Sequence, residues 1–295
     1  MSSLALIKKD TVDVVAAKIR QFQEHGELQL PPNYSVENAM KSAWLELQEA
    51  TDKDGNLALG VCTRDSIANA LLKMVVQGLN PAKNQCYFVA YGKKLVLMRS
   101  YFGSIHVAKS VDQNIEDIFG EVVYEGDEFE FEKKRGKTII TVHKQKLANM
   151  KKENIIAAYA TVLYKDGREE SAVMTVDEIK QAWKQSPVHP VDVSGKIKAG
   201  STHDKFTTEM CKRTVINRAC KPIINSSDDS NLVVRIAKET DAELAEAEVA
   251  QEIEENANTE IIDIEATVIE AEQPDEAQPQ PEPEPSEPVK DGAPF

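Results

Sequence analysis

Apolar residues recur at helical spacing over the first eighty positions. Val12, Val15, Ile19 and Phe22 step by three and four, forming one stripe along a helix. A second helix follows Pro31-Pro32, with Ser35 as its N-cap and Ala39, Ala43, Leu47 and Ala50 on one face. A third starts near Thr63, turns Ile67, Leu71, Met74 and Val75 inward, and stops at Gly78 with Pro81 just beyond. The period then changes to two. Residues 85–91 and 94–99 are β-rich runs divided by Gly92-Lys93, the pattern of a hairpin. Residues 101–111 read as a short helix. Strand-like runs follow at 118–124, 128–133, 138–143, 155–164 and 168–175, parted by Glu125-Gly126-Asp127, Arg135-Gly136 and Asp166-Gly167. Helices return at 176–183 and 203–221. This order predicts an α+β fold: a mainly antiparallel β-sheet with hairpins packed by helices, behind a set of N-terminal helices.

Composition divides the chain in two. Residues 240–295 hold 18 acidic residues and one basic residue, Lys290, a charge of −17 within a total of −14. Residues 1–239 therefore carry +3. Such asymmetry fits nucleic-acid binding by the body with a separate acidic segment, and equally a neutral body with a solubilising tail. The Pro- and Glu-rich end is expected to be disordered, residues 241–257 are compatible with a solvated helix, and the apolar cluster at 261–269 with a partner-docking motif. Cys62, Cys86, Cys211 and Cys220 have no metal-ligand spacing and fit reduced thiols. No signal-peptide pattern and no apolar run near the roughly 20 residues of a membrane span are present, so a cytoplasmic protein is expected.

Three motifs suggest chemistry and fail on their details. Asp52-Lys53-Asp54-Gly55-Asn56 opens like a calcium loop, but Leu57 stands where Gly is needed and Thr63 where Glu is needed. The run from Gly195 to Thr202 misses a nucleotide P-loop, because Ser201 replaces the lysine that would reach the terminal phosphates. Asp127, Glu130 and Glu132 invite a metal-dependent nuclease reading. Alternation of Glu128, Glu130 and Glu132 with Phe129 and Phe131 favours a solvated edge strand instead. No cofactor is indicated.

Two regions have the chemistry of strand binding. Tyr87, Phe88, Tyr91, Lys93, Lys94, Arg99, Tyr101 and Phe102 combine aromatic faces, on which bases stack, with cations that track phosphates. A sheet core with lysines outside fits the same alternation at least as well. The second region, from Asp204 to Lys221, turns Cys211, Val215 and Ala219 inward. It sets Lys205 and Lys212 on another face and Arg218 and Lys221 on a third. The loop 184–202, with Lys196 and Lys198, is expected to be mobile and solvent-facing.

The run Gln77-Gly78-Leu79-Asn80-Pro81, then Gln85, Tyr87, Tyr91-Gly92-Lys93-Lys94-Leu95 and Tyr101-Phe102-Gly103, resembles the RecT family of phage and prophage recombination proteins. The helix from Glu209-Met210 through Lys212-Arg213-Thr214-Val215-Ile216-Asn217-Arg218 resembles the family's second signature segment. The resemblance implies ATP-independent annealing of complementary single strands by rings or helical filaments, beside a 5′-to-3′ exonuclease. It sets DNA contacts on Lys93, Lys94, Arg99, Lys205, Lys212, Arg213 and Arg218; Tyr101 and Phe206 accompany them, and Lys109, Lys196 and Lys198 are added from charge and loop placement. Ala219-Cys220-Lys221-Pro222 departs from the family pattern and leaves the end of this helix unset. A passive single-strand binder and a nuclease remain the alternatives. The Asp291-Gly292-Ala293-Pro294-Phe295 terminus resembles the tip of bacterial single-strand-binding proteins, implying contact with host partners or a brake folded onto the basic body.

Overall fold

The computed structural model describes residues 3–186, 190–227 and 231–256. The N-terminal helices are α1 (Ser3–Glu24), α2 (Val36–Glu49), the single turn α3 (Ala58–Val61) and α4 (Arg64–Val76). Their starts follow from capping chemistry: Ser35 Oγ accepts from the Asn38 amide at 3.2 Å, and Thr63 Oγ1 from the Ser66 amide at 3.3 Å. Buried Trp44, Leu47, Ile67, Leu71 and Met74 join these helices to one hydrophobic core that continues into both sheets.

The first sheet is the hairpin of β1 (Cys86–Tyr91) and β2 (Lys94–Arg99), with Tyr91 opposite Lys94 across the Gly92-Lys93 turn. After α5 (Tyr101–Val111) come β3 (Ile115–Tyr124), β4 (Glu128–Lys134), β5 (Lys137–Lys144), β6 (Ile155–Tyr164) and β7 (Glu169–Thr175). They form an antiparallel sheet in the order β3-β6-β7-β5-β4. The expected α+β class with an antiparallel sheet is therefore what the chain adopts. β4 lies at the sheet's end with its glutamates exposed, the edge strand that its alternating charges predict.

The sheet is strongly curved. Adjacent strands lie about 4.8 Å apart, so a flat sheet would hold β4 and β6 about 14 Å apart. Instead Phe129 of β4 stacks on Tyr159 of β6 with ring centroids at 5.4 Å, and His143 Nδ1 lies 2.9 Å from the Tyr159 hydroxyl. The other face is covered by α8 (Thr207–Ser226), which buries Cys211, Val215, Ile216, Cys220 and Ile224. Gly120 makes this close approach possible: a Cβ there would stand 3.0 Å from Ile216 Cγ1. Beside α8 lie α6 (Val176–Lys184), started by a Thr175–Glu178 capping box, and the short α7 (Thr202–Lys205).

Three expectations change. The helix expected over 203–221 is interrupted at Phe206 (φ −127°, ψ 44°) and then runs through Pro222 to Ser226. The loop after α6 is pinned in its second half. Pro190 and Val191 are buried, Val191 bridges Ile197, and Asp192 Oδ1 accepts from the Lys196 amide at 2.9 Å. Finally, the composition change at Thr240 falls inside α9 (Leu232–Asn256); the acidic part is helical and largely exposed as expected through Ala250, but the helix also carries one packed stripe. Ala237, Thr240 and Ala247 are buried at helical spacing against α4 and β2. The expectations for the Pro-rich tail, the cluster at 261–269 and the terminal Pro-Phe fall outside the described residues.

Candidate nucleic-acid interface

Alternation along β1 sorts the hairpin aromatics. Cys86 and Phe88 face inward with Leu95 and Leu97, whereas Tyr87 is 40 % exposed. Arg99 shares the inward face, and its side chain is only 6 % exposed. Its Nη1 donates to Gln77 Oε1 at 2.8 Å and to the Ala237 carbonyl at 3.2 Å. Nη2 donates to both Asp241 oxygens, at 2.7 and 2.6 Å. Lys94 Nζ lies 2.8 Å from Glu243 Oε1, and the other oxygen of Glu243 accepts from Lys73. Burial works against the charge on Glu243, but the two ammonium groups prevail and hold its carboxyl below the usual range. Lys94 and Arg99 are thus engaged by α9; Lys93 stands exposed in the turn.

The α5–α8 contact assembles a second group. Ser100 caps α5: its Oγ accepts from the Gly103 amide at 3.2 Å and donates to the Asn84 carbonyl at 2.6 Å. This sets Tyr101 and Phe102 side by side, ring centroids 4.0 Å apart, with Phe102 46 % exposed. Burial raises the Tyr101 phenol pKa, helped by Glu209 and Tyr87 and opposed by Lys212, so these three groups lie within electrostatic range of it. Lys212 Nζ lies 3.0 Å from Glu121 Oε2 on β3. Aromatic faces from β1 and α5 and a cation from α8 therefore meet at one surface. At the far end of α5, Lys109 lies 3.4 Å from Asp117 and lines an open cleft of about 850 Å³ with His106 and Gly78.

The remaining candidates are spread around α8. Lys205 and Phe206 are exposed at the junction of α7 and α8, Phe206 by 57 %. Lys196 and Lys198 are exposed on the pinned turn. Arg213 is half-buried near His203, whose pKa is lowered by burial and then by the Arg213 charge. Arg218 is exposed beside α6 and β7, where it lines a cavity of about 430 Å³ with Glu178 and Ser171. Arg218 and Lys212 thus occupy different sides of α8, so no single groove collects every candidate cation. Sequence reasoning missed Lys73 and the acidic partners Glu121, Asp241 and Glu243. The spacing of Lys73 on α4 and Gln77 at its C-cap, four apart, was the available signal for a polar face there.

Of the carboxylates of the nuclease reading, Asp127 is occupied otherwise, while Glu130 and Glu132 are exposed on β4. Asp127 accepts from the Tyr124 amide at 2.9 Å, Gln145 Nε2 at 3.1 Å and Asn149 Nδ2 at 3.0 Å. Burial raises its pKa, but the bonds from Asn149, Tyr124 and Gln145 outweigh it and bring it to about 2. Among the described residues, no group of three His, Cys, Asp or Glu side chains converges to hold a metal ion. Nor is any helix there long and apolar enough to cross a membrane.

Comparison with curated proteins finds no match. A model of the RecT family matches residues 37–260, from α2 to just beyond the end of α9. That span takes in both candidate regions and the helix packed across the hairpin, and with this match over most of its length the chain belongs to the RecT family, implying a role in single-strand annealing in recombination.

Proposed function

We propose that the protein binds single-stranded DNA and pairs it with its complement as a homo-oligomeric ring or filament, without nucleotide hydrolysis and without making or breaking a strand bond. The observation that carries this reading is the gathering of Tyr87, Tyr101 and Phe102 near Lys212, extended past the start of α8 by Lys205 and Phe206. Bases stack on such aromatic faces for about 1–3 kcal/mol each whatever their sequence, while cations neutralise phosphates. Base pairing then supplies the specificity. Because α9 covers Arg99, whose side chain is only 6 % exposed, the α5–α8 surface rather than the inward face of the hairpin is the centre of this site. The body through α9 carries strand binding and self-association. The acidic residues after it offer a contact to partners, among them a 5′-to-3′ exonuclease that supplies the strands and a host single-strand-binding protein.

The test is annealing of complementary oligonucleotides, one labelled, without ATP, with strand length checked on a denaturing gel. Accelerated pairing with intact strands is expected. Lys212→Ala should weaken binding to all sequences alike and reduce the log–log salt slope by about 0.7. Coating without acceleration would make the protein a passive binder, and shortened strands would make it a nuclease.

A further inference from the structure

The segment joining β5 to β6 reads Lys144-Gln145-Lys146-Leu147-Ala148-Asn149-Met150-Lys151-Lys152-Glu153, four lysines to one carboxylate around two large apolar side chains. Leu147 is 89 % exposed and Met150 47 %. A single exposed leucine is ordinary on a protein surface. Here, however, the backbone that presents it is held. Gln145 Nε2 donates to the Val122 carbonyl at 2.9 Å and to Asp127, and Asn149 Nδ2 donates to Asp127 from the other side of Leu147. Short 3-10 turns at Leu147–Asn149 and Lys152–Asn154 complete the base. The apolar tip stands out from a built support.

Charge and position single out an occupant. Lys144 pairs with Glu128 and Lys152 with Asp204, at 2.9 and 2.7 Å. Lys146 and Lys151 are exposed, flank the apolar pair and meet no carboxylate among the described residues. The Lys152–Asp204 bond sets the loop beside Lys205 and Phe206. From there Thr208, 3.4 Å from the Tyr124 hydroxyl, and Lys212, against Glu121, lead along α8 to Tyr101. The loop therefore continues the path of the proposed strand site.

We propose that the β5–β6 loop is a second DNA-contacting element, in which Lys146 and Lys151 bind phosphates of the held strand and Leu147 and Met150 insert between its bases. This rests on the single-strand reading above. Leucine and methionine are among the apolar side chains that wedge between base steps and unstack them. On a single strand the same wedge opens the stack and leaves pairing edges free for a complement.

The experiment uses the full chain and a single-stranded oligonucleotide carrying 2-aminopurine, whose fluorescence rises on unstacking. Lys146→Ala with Lys151→Ala should weaken binding and lower the log–log salt slope by about 1.4, twice the single-phosphate value. Leu147→Ser with Met150→Ser should keep that slope and lose at least half of the fluorescence rise. These four side chains are exposed and the anchors Gln145 and Asn149 are untouched, so circular dichroism should report an unaltered fold. If wild-type protein binds and both double variants match it in affinity, slope and brightness, the loop does not touch DNA and the proposal falls while the single-strand reading stands. Altered sedimentation with unchanged DNA behaviour overturns it too, making the loop a contact between copies. Failure of wild-type protein to bind any single strand overturns the underlying reading as well.

Discussion

Gly103 sits in the first turn of α5, directly after the two aromatic rings of the candidate site. Helix propensity alone says that Gly103→Ala should stabilise the protein by about 1 kcal/mol. The tertiary structure reverses the sign. A Cβ at this position would lie 2.1 Å from the Gln85 carbonyl oxygen, 3.2 Å from its carbon and 3.3 Å from Leu79 Cδ2. Carbon–oxygen contacts settle near about 3.3 Å, so α5 and the start of β1 must part by about 1 Å. That carbonyl also accepts the Ser100 amide at 3.0 Å, so the strain falls on the residue that caps α5. Overpacking costs about 1–3 kcal/mol and a weakened cap about 1 kcal/mol. Less the helix gain, Gly103→Ala should destabilise by about 1–3 kcal/mol. Urea titration followed by circular dichroism and tryptophan fluorescence measures this. Gly60→Ala in α3, where a Cβ meets nothing within 4 Å, should lie between neutral and about 1 kcal/mol more stable. The displaced Tyr101 and Phe102 should also slow annealing. If Gly103→Ala is as stable as the wild type, the close approach of α5 to Gln85 is wrong.

Glu243→Gln removes the shared partner of Lys73 and Lys94; with Glu243 17 % exposed, a loss of about 1–3 kcal/mol in urea titration is expected, between the values for surface and buried pairs. An unchanged midpoint would mean that α9 is not held on the hairpin by these charges. Asp127 has a folded pKa of about 2 against the ordinary 3.8, so its stabilisation is complete above pH 3.8 and is lost as pH falls through 2. Asp127→Asn should lower stability at neutral pH and flatten the acid limb of the stability profile between those values. Burial pushes the Cys211 and Cys220 thiols up to about 12 and also raises Cys62 and Cys86. Native protein should therefore react slowly with a disulfide reagent at pH 8 and release four equivalents only in denaturant; rapid native reaction would contradict their burial.

Much of the fold was legible because it rests on local rules. Ser35 and Thr63 start helices where a hydroxyl can accept the orphan amide three residues on, and the hairpin follows from two alternating runs around Gly92-Lys93. Pro222 misled the reading of the last helix before α9. Proline ends many helices, yet here the buried Cys220 and Ile224 on either side hold the next turn in place. The acidic run after Thr240 hid one packed face of a helix that is otherwise largely exposed through Ala250. Its composition describes a solvated segment, while Ala237, Thr240 and Ala247 supply a narrow packing stripe that charge counting does not register.

Residue chemistry by itself determined which groups could serve a single strand: cations and aromatic rings in β1, β2, α5 and α8, with no nucleotide loop of workable spacing. Only the tertiary structure decided which of them reach the surface. Tyr87 and Arg99 both belong to the same hairpin motif, but one is turned outward beside Tyr101 and the other is buried against Asp241 of α9, 142 residues away. Period-two alternation assigns faces of a strand; it cannot say which face a distant helix will cover. That depends on shape and charge meeting across the folded chain, and so does the joining of the β5–β6 loop to α7 through Lys152 and Asp204.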